Sequence, residues 1–226
     1  KNCKKNCESS VMENLKSSPF ESVHQQLGAN FGEFDQWRMP ADYGNCADEV
    51  KAVQESCAAF DLSSFGRIIL KGAFAGNAIK EALGINEPQD GEIIKDTGYR
   101  AGRTGEKVLV ITRPELRNEA VEKLTAVGEG NDLTVNDVTE STGMLGLYGQ
   151  RAFEALNNIL PMDLSRIEPG EIKAINFFMM NIIIIRQGWL DGEGMEMICP
   201  AKAAGLAGSA ISKYHKRENI TPAGMN

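Results

Sequence analysis

The stretch EIKAINFFMMNIIIIRQ (171–187), followed by GWLDGEG (188–194) and MEMIC (195–199), decides the fold class. Its β-branched and aromatic residues show no helical period, and a glycine-rich turn separates it from a second apolar run. The pattern therefore predicts an antiparallel hairpin rather than a helix. The apolar part, Ala174 to Ile185, is broken by Asn176 and Asn181 and bounded by Lys173 and Arg186, so it is too short and too polar to cross a bilayer as a helix. Working outward, Met144 to Tyr148 reads as a strand, Gln150 to Leu160 as a helix, and Ala201 to about His215 as a last helix. Interleaved strands and helices with a late hairpin predict α+β, with mixed or antiparallel sheets and flanking helices, in preference to a doubly wound parallel fold.

Towards the amino terminus, Ser10 to Gly28 has helical spacing interrupted at Ser17-Ser18-Pro19, and Asn45 to Phe60 reads as a helix. A strand at Arg67 to Lys71 precedes a helix at Ala73 to Leu83. Gly84 to Gly105 is rich in Gly, Asp and Pro and reads as loop with one short strand at Glu92 to Lys95. Lys107 to Thr112 is a strand, Pro114 to Val127 a helix opened by proline, and Leu133 to Val138 alternates like another strand.

Composition narrows the function classes. The 226 residues carry 24 Lys and Arg against 31 Asp and Glu, a formal net charge of −7, which argues against nucleic-acid or anionic-membrane binding driven by bulk charge. Hydrophobic residues at 42% exclude a disordered chain. Lys1-Asn-Cys-Lys-Lys-Asn-Cys7 has no apolar segment behind its basic residues, so it does not read as a secretory signal, and a cytoplasmic or mitochondrial-matrix protein is expected. Five cysteines, an odd number, suit reduced thiols. Cys3 and Cys7 read as a polar terminus, since no second pair offers ligand spacing.

The common phosphate-loop, dinucleotide, nucleophile-elbow and zinc-protease signatures are absent. His24 and His215 read as structural or surface residues. Gly188 to Gly194 lies between strands and is acidic, so it reads as a hairpin turn with Asp191, Glu193 and Glu196 forming an acidic rim. The bland reading of that rim is a solvated turn. The functional one is a carboxylate accepting paired hydrogen bonds from the adjacent N–H groups of a planar heterocycle such as a pterin or guanine.

The order of motifs in the first seventy residues resembles the glycine cleavage T-protein (aminomethyltransferase) family. The residues that carry it are Ser18-Pro-Phe20, Val23-His24, Leu27-Gly28-Ala29, Phe31, Phe34, Trp37, Met39-Pro40, Tyr43, Glu49, Ala52-Val53, Phe60-Asp61-Leu62-Ser63, Gly66 and Gly72. Gly149-Gln-Arg-Ala152, Gly188-Trp189 through Gly194-Met-Glu196, and Thr221-Pro-Ala-Gly224 extend the resemblance over nearly the whole chain. It implies a tetrahydrofolate-binding fold around a central channel, here an extension at 1–17 and a folate-binding region at 18–226 in two interleaved lobes of about 18–105 and 106–226. It also implies that the family's carboxyl-terminal barrel is lacking; with a first residue that is Lys rather than Met, a processed product or fragment of something longer is expected. The implied chemistry is transfer of a one-carbon unit, aminomethyl or methyl, to tetrahydrofolate. The donor would be a small molecule or a lipoyl-bearing carrier protein, with no nucleic acid or membrane as partner.

By the same resemblance Glu196 holds the pterin, with Trp189 beside it. The family's catalytic Gly-Gly-x-x-Asp-Asp-Leu corresponds to Gly91-Glu-Ile-Ile-Lys-Asp96, which places Asp96, or in the neighbouring register Lys95, at the acid–base position; Tyr99 is an alternative polar contact. A carboxylate suits that position because the reacting amine changes protonation and gains positive charge. Two departures stand out: Glu49-Val-Lys-Ala-Val-Gln54 replaces Glu-His-x-Ala-Val-Arg, and Leu190-Asp-Gly192 replaces Thr-Gly-Glu. The readings that follow are a divergent folate-dependent transferase, a non-catalytic folate-binding relative, or a subunit of a sarcosine-oxidase-like complex.

Overall fold

The computed structural model describes residues 15–160, 163–177, 180–189 and 192–226. A small sheet opens the fold. In it β1 (Lys16–Ser17), then after helix α1 (Glu21–Gln26) the strands β2 (Asn30–Phe34) and β3 (Trp37–Asp42), lie in the order β1-β3-β2. Helix α2 (Cys46–Glu55) is capped by Asn45, whose side chain accepts from the Asp48 N–H, and leads into β4 (Cys57–Asp61). Next come β5 (Gly66–Lys71), α3 (Ala75–Leu83), β6 (Ile93–Asp96), β7 (Tyr99–Thr104), β8 (Lys107–Thr112), α4 (Arg117–Gly128) and β9 (Thr134–Asp137). The chain then runs through β10 (Thr142–Tyr148), α5 (Ala152–Ile159), β11 (Ile172–Phe177), β12 (Met180–Ile185), β13 (Gly194–Pro200), α6 (Ala204–Tyr214) and β14 (Ile220–Ala223).

Two larger sheets carry the core, one ordered β11-β12-β13-β10-β4-β14 and the other β6-β7-β8-β5-β9. Strand alternation sorts their side chains into layers. Along β8, Val108 and Val110 pack with Ala78, Ile79 and Leu124 of α3 and α4, while Leu109 and Ile111 pack with Met144, Ile185 and Ile198 of the other sheet. Along β13, Met195 and Met197 join Leu156 of α5 and Ile211 of α6, leaving Glu196 and Ile198 on the opposite side. The result is helices, sheet, sheet, helices, with an apolar layer between the two sheets.

The late hairpin is present: β12 and β13 pair antiparallel from Ile183↔Ile198 to Ile185↔Glu196. The continuous run at 171–187 is itself a hairpin of β11 and β12, paired from Ile172↔Ile185 to Phe177↔Met180. Two expectations need correction. The helix predicted to Phe60 stops at Glu55, because Cys57 to Asp61 is recruited as a central strand between β10 and β14. The loop predicted over 84–105 holds the β6/β7 hairpin, whose β7 pairs with β8 along its whole length. One large sheet takes all its strands from 66–137, and the other takes its strands from both sides of that segment. The expectations placed on Cys3, Cys7, the first half of the Ser10–Gly28 segment and Asp191 lie outside the described residues.

Candidate functional site

Because Glu196 alternates inward on β13 and Arg100 inward on β7, the two meet in the layer between the sheets. Both side chains are 0% exposed, and Arg100 Nη2 donates to Glu196 Oε2 at 2.5 Å. The other carboxylate oxygen, Oε1, accepts from the Tyr148 hydroxyl at 2.6 Å. Burial and the adjacent Glu196 charge push the Tyr148 phenol well above its ordinary pKa, so it serves as a donor throughout the physiological range. Arg100 Nη1 donates to the Gln187 carbonyl at 2.9 Å, and the Trp189 ring lies 4.5 Å from the guanidinium carbon. Three buried atoms of this group, Arg100 Nε, Gln187 Oε1 and Trp189 Nε1, have no hydrogen-bond partner among the described residues.

The glycine-rich turn exists to admit Tyr148. A Cβ at Gly188 would collide with its ring, one at Gly194 would come within 3.0 Å of Cδ1, and one at Gly146 on β10 within 2.6 Å of Cε2. This is the physical content of the glycines at 188 and 194, and it corrects the acidic-rim expectation. Glu196 is wholly buried, while Glu193 is about half exposed and sits 3.8 Å from Arg186.

On the other side of Tyr148 and Trp189 opens a cavity of about 440 Å³, walled by Val53, Phe60, Leu62 and Phe65 and closed at its edge by Gly224 to Asn226. Its size and mostly apolar lining are those of a small-molecule site. Phe60 meets Tyr148 edge-on at 5.6 Å and Phe65 meets Trp189 at 5.2 Å, so the aromatic walls are mutually packed. A second cavity, of about 550 Å³, lies between Ile69 and Leu109 on one sheet and Ile183 and Ile198 on the other, and is lined by none of Arg100, Tyr148, Gln187, Trp189 and Glu196.

Asp61, next to Phe60, faces a separate small pocket together with His24 and Tyr43. It accepts from His24 Nε2 at 2.8 Å, from the Ser63 N–H at 2.9 Å and from the Ser18 hydroxyl. Burial alone would raise its pKa, but these donors and the His24 charge hold the carboxyl below the usual range. His24 thus bridges two side chains, Nε2 facing the Asp61 carboxylate and Nδ1 lying 2.7 Å from the Tyr43 hydroxyl.

Of the residues expected at the site, Glu196 and Trp189 come together around Arg100. Asp96 stands exposed at the tip of the β6/β7 hairpin, where its Oδ1 accepts from the Thr97 N–H at 2.6 Å. Its neighbour Lys95 reaches back to the Trp189 carbonyl at 2.9 Å. Tyr99 alternates to the opposite side of β7 from Arg100 and packs against the α3/α4 layer, away from Glu196. Burial and the Glu119 carboxylate raise its phenol. Sequence reasoning missed Arg100 and Tyr148. The signal for Arg100 was the alternation of Tyr99-Arg100-Ala101 once that segment is read as a strand.

No helix among the described residues is long and apolar enough to cross a membrane, and none of their His, Cys, Asp and Glu side chains form a group able to hold a metal ion.

The model of the GCVT N-terminal domain matches residues 20–226. The aminomethyltransferase of Staphylococcus saprophyticus is 25% identical over 93% of this chain and 61% of its own length, and that of Geobacillus kaustophilus is 25% identical over 93% and 62%. The chain thus spans about 61% of the length of the curated relatives it matches. The crystal structure of glycine cleavage system aminomethyltransferase T from Bartonella henselae superposes with a TM-score of 0.79 at 19% identity, covering 93% of this chain and 60% of that one. A chain of the heterotetrameric sarcosine oxidase from Corynebacterium sp. U-96 gives 0.65 at 13% identity, covering 88% and 94%. These two likenesses concern the fold.

Proposed function

The chain belongs to the GCVT N-terminal domain family, and from that premise we propose that its aromatic cavity binds a reduced folate and that the protein takes part in one-carbon transfer to tetrahydrofolate. The observation that carries this reading is the juxtaposition of an aromatic-walled cavity with a buried carboxylate and hydroxyl, Glu196 and Tyr148, across the Trp189 ring. Flat apolar walls suit a ring system. Trp189, whose Nε1 has no partner among the described residues, lines the cavity and offers a donor of the kind the heteroatoms of a pterin need. Trp189, Tyr148 and Glu196 would hold the ring, and the bound folate supplies the nitrogen that receives the carbon. Asp96 is the acid–base residue in this proposal. Its exposed carboxylate sits on a hairpin tied to the Trp189 turn through Lys95. The carbon donor is a small amine or a lipoyl-bearing carrier, and the protein works without nucleic acid or membrane.

Calorimetric titration with 5-formyltetrahydrofolate tests the binding reading, with Trp189→Phe as the reporter control. Saturable binding weakened by that change is expected; no heat of binding at millimolar ligand refutes it. A binding-only role is the second reading, favoured by Asp96 satisfying its own turn instead of lining the cavity. Formation of methylene- or methyltetrahydrofolate by the wild type, lost in Asp96→Asn, decides for catalysis.

A further inference from the structure

A planar guanidinium, stacked on an indole and bonded edge-on to a carboxylate, is how a protein would hold any flat guanidine-type group. Here the group is the chain's own. Arg100 lies over Trp189, gives Nη2 to Glu196 and Nη1 to the Gln187 carbonyl, and is sealed from solvent. The 2-amino-pyrimidinone edge of a pterin is a cyclic guanidine, with adjacent N–H donors in the same plane. Guest and side chain therefore present the same donors to the same acceptor.

The resident group is also incompletely satisfied. Tyr148 holds Glu196 Oε1, so the arginine reaches the carboxylate through Oε2, and its Nε has no partner among the described residues. A buried donor left unpaired is costly, which leaves the resident arginine open to displacement by a ring that pairs more of its heteroatoms.

We propose that Arg100 is a specificity-determining residue that occupies the seat formed by Trp189 and Glu196, so that a guanidine-edged ligand binds by displacing its guanidinium. The inference rests on the folate reading above and sets the affinity of that same site.

Calorimetry of the wild-type chain and two variants with 5-formyltetrahydrofolate tests it. Arg100→Met should bind at least about tenfold more tightly than wild type. Arg100→Gln, whose neutral amide still donates to Glu196 but more weakly, should fall between them and carries the test if the methionine variant does not fold. Methylguanidinium is the second probe. Added to Arg100→Met it should take the vacated seat and compete with the folate, while leaving wild-type affinity unchanged; an arginine that merely supports the fold would give no such competition. Guanosine, which shares the pterin edge, distinguishes the two ring sources: tighter guanosine than folate binding in Arg100→Met overturns the assignment to pterin. Equal folate affinities in wild type and both variants overturn the displacement proposal and leave the folate reading standing. Binding by none of the proteins overturns both.

Discussion

Replacing Asp61 with Asn removes a charge on which three donors converge. The amide keeps one oxygen and presents an NH₂ where the Ser18 hydroxyl, the Ser63 N–H and His24 Nε2 all seek an acceptor. Orphaning one or two buried donors at about 1–3 kcal/mol each comes to about 1–6 kcal/mol, which brackets the about 3–5 kcal/mol lost on breaking a buried ionic cluster by removing one partner. Taking about 4 kcal/mol, a protein of this size should melt about 8–16 °C lower. The pH dependence has a definite sign. The folded Asp61 pKa lies below its unfolded value of about 3.9, so its contribution is fully present above that value and is lost as pH falls through the folded pKa. Arg67, whose charge also favours ionised Asp61, and Tyr43 beyond His24 stay protonated across this window, because burial and the Asp61 and Glu49 charges raise the tyrosine. Urea denaturation of both proteins from pH 7 to pH 3 should therefore show a gap of several kcal/mol at neutral pH that narrows below about pH 4. A gap under about 1 kcal/mol at pH 7, or one that does not narrow in acid, refutes the assignment of the cluster's stability to an ionised Asp61.

Gly188→Ala should push a methyl into the Tyr148 ring and cost about 1–3 kcal/mol, seen as a lower melting temperature with a shifted Trp189 emission; wild-type behaviour in both would show that the ring has room. Arg67 is 0% exposed and donates to the carbonyls of Leu62, Ser63, Phe65, Thr139 and Thr142. Arg67→Met should lose at least about 3 kcal/mol by chemical denaturation, and Arg67→Lys should not restore it, since one ammonium cannot reach five directions. Cys57 and Cys199 are buried, with thiols pushed up by burial to about 12 and about 11, whereas Cys46 is exposed at the cavity. Peptide mapping after brief iodoacetamide treatment should find Cys46 modified and the other two protected until urea is added. Asp96→Asn should leave the melting temperature within about 1 °C of wild type, as befits an exposed turn residue; a drop of several degrees would give Asp96 a structural role.

The fold class was legible because its signals are local: β-branched runs around 171–199, glycine turns, and helical periods ending at proline or glycine. Cys57 to Asp61 was misread because two alanines beside a helix look helical until β10 and β14 are known to flank them. At the site, Glu196 could be singled out from its turn, but its partner could not. The pairing with Arg100 spans 96 positions and depends on two strands alternating towards a common layer, one of them hidden in a stretch of glycine, aspartate and proline. Tyr99 and Arg100 are adjacent in sequence and point to different layers, so an error of one residue exchanges a helix-facing phenol for the cation at the buried carboxylate.

Glu49 projects from α2 at the cavity wall. Its Oε1 takes the Tyr43 N–H at 2.6 Å, following β3, and its Oε2 takes the Gly224 N–H at 2.9 Å, where β14 gives way to the cavity edge. One carboxylate thus buckles the end of β3 to Gly224, which lies 175 positions beyond Glu49 itself. A guest resting on Met225 and Asn226 would lean on that buckle, so occupancy at the lip should tighten hydrogen-exchange protection at Tyr43, a residue the guest never meets.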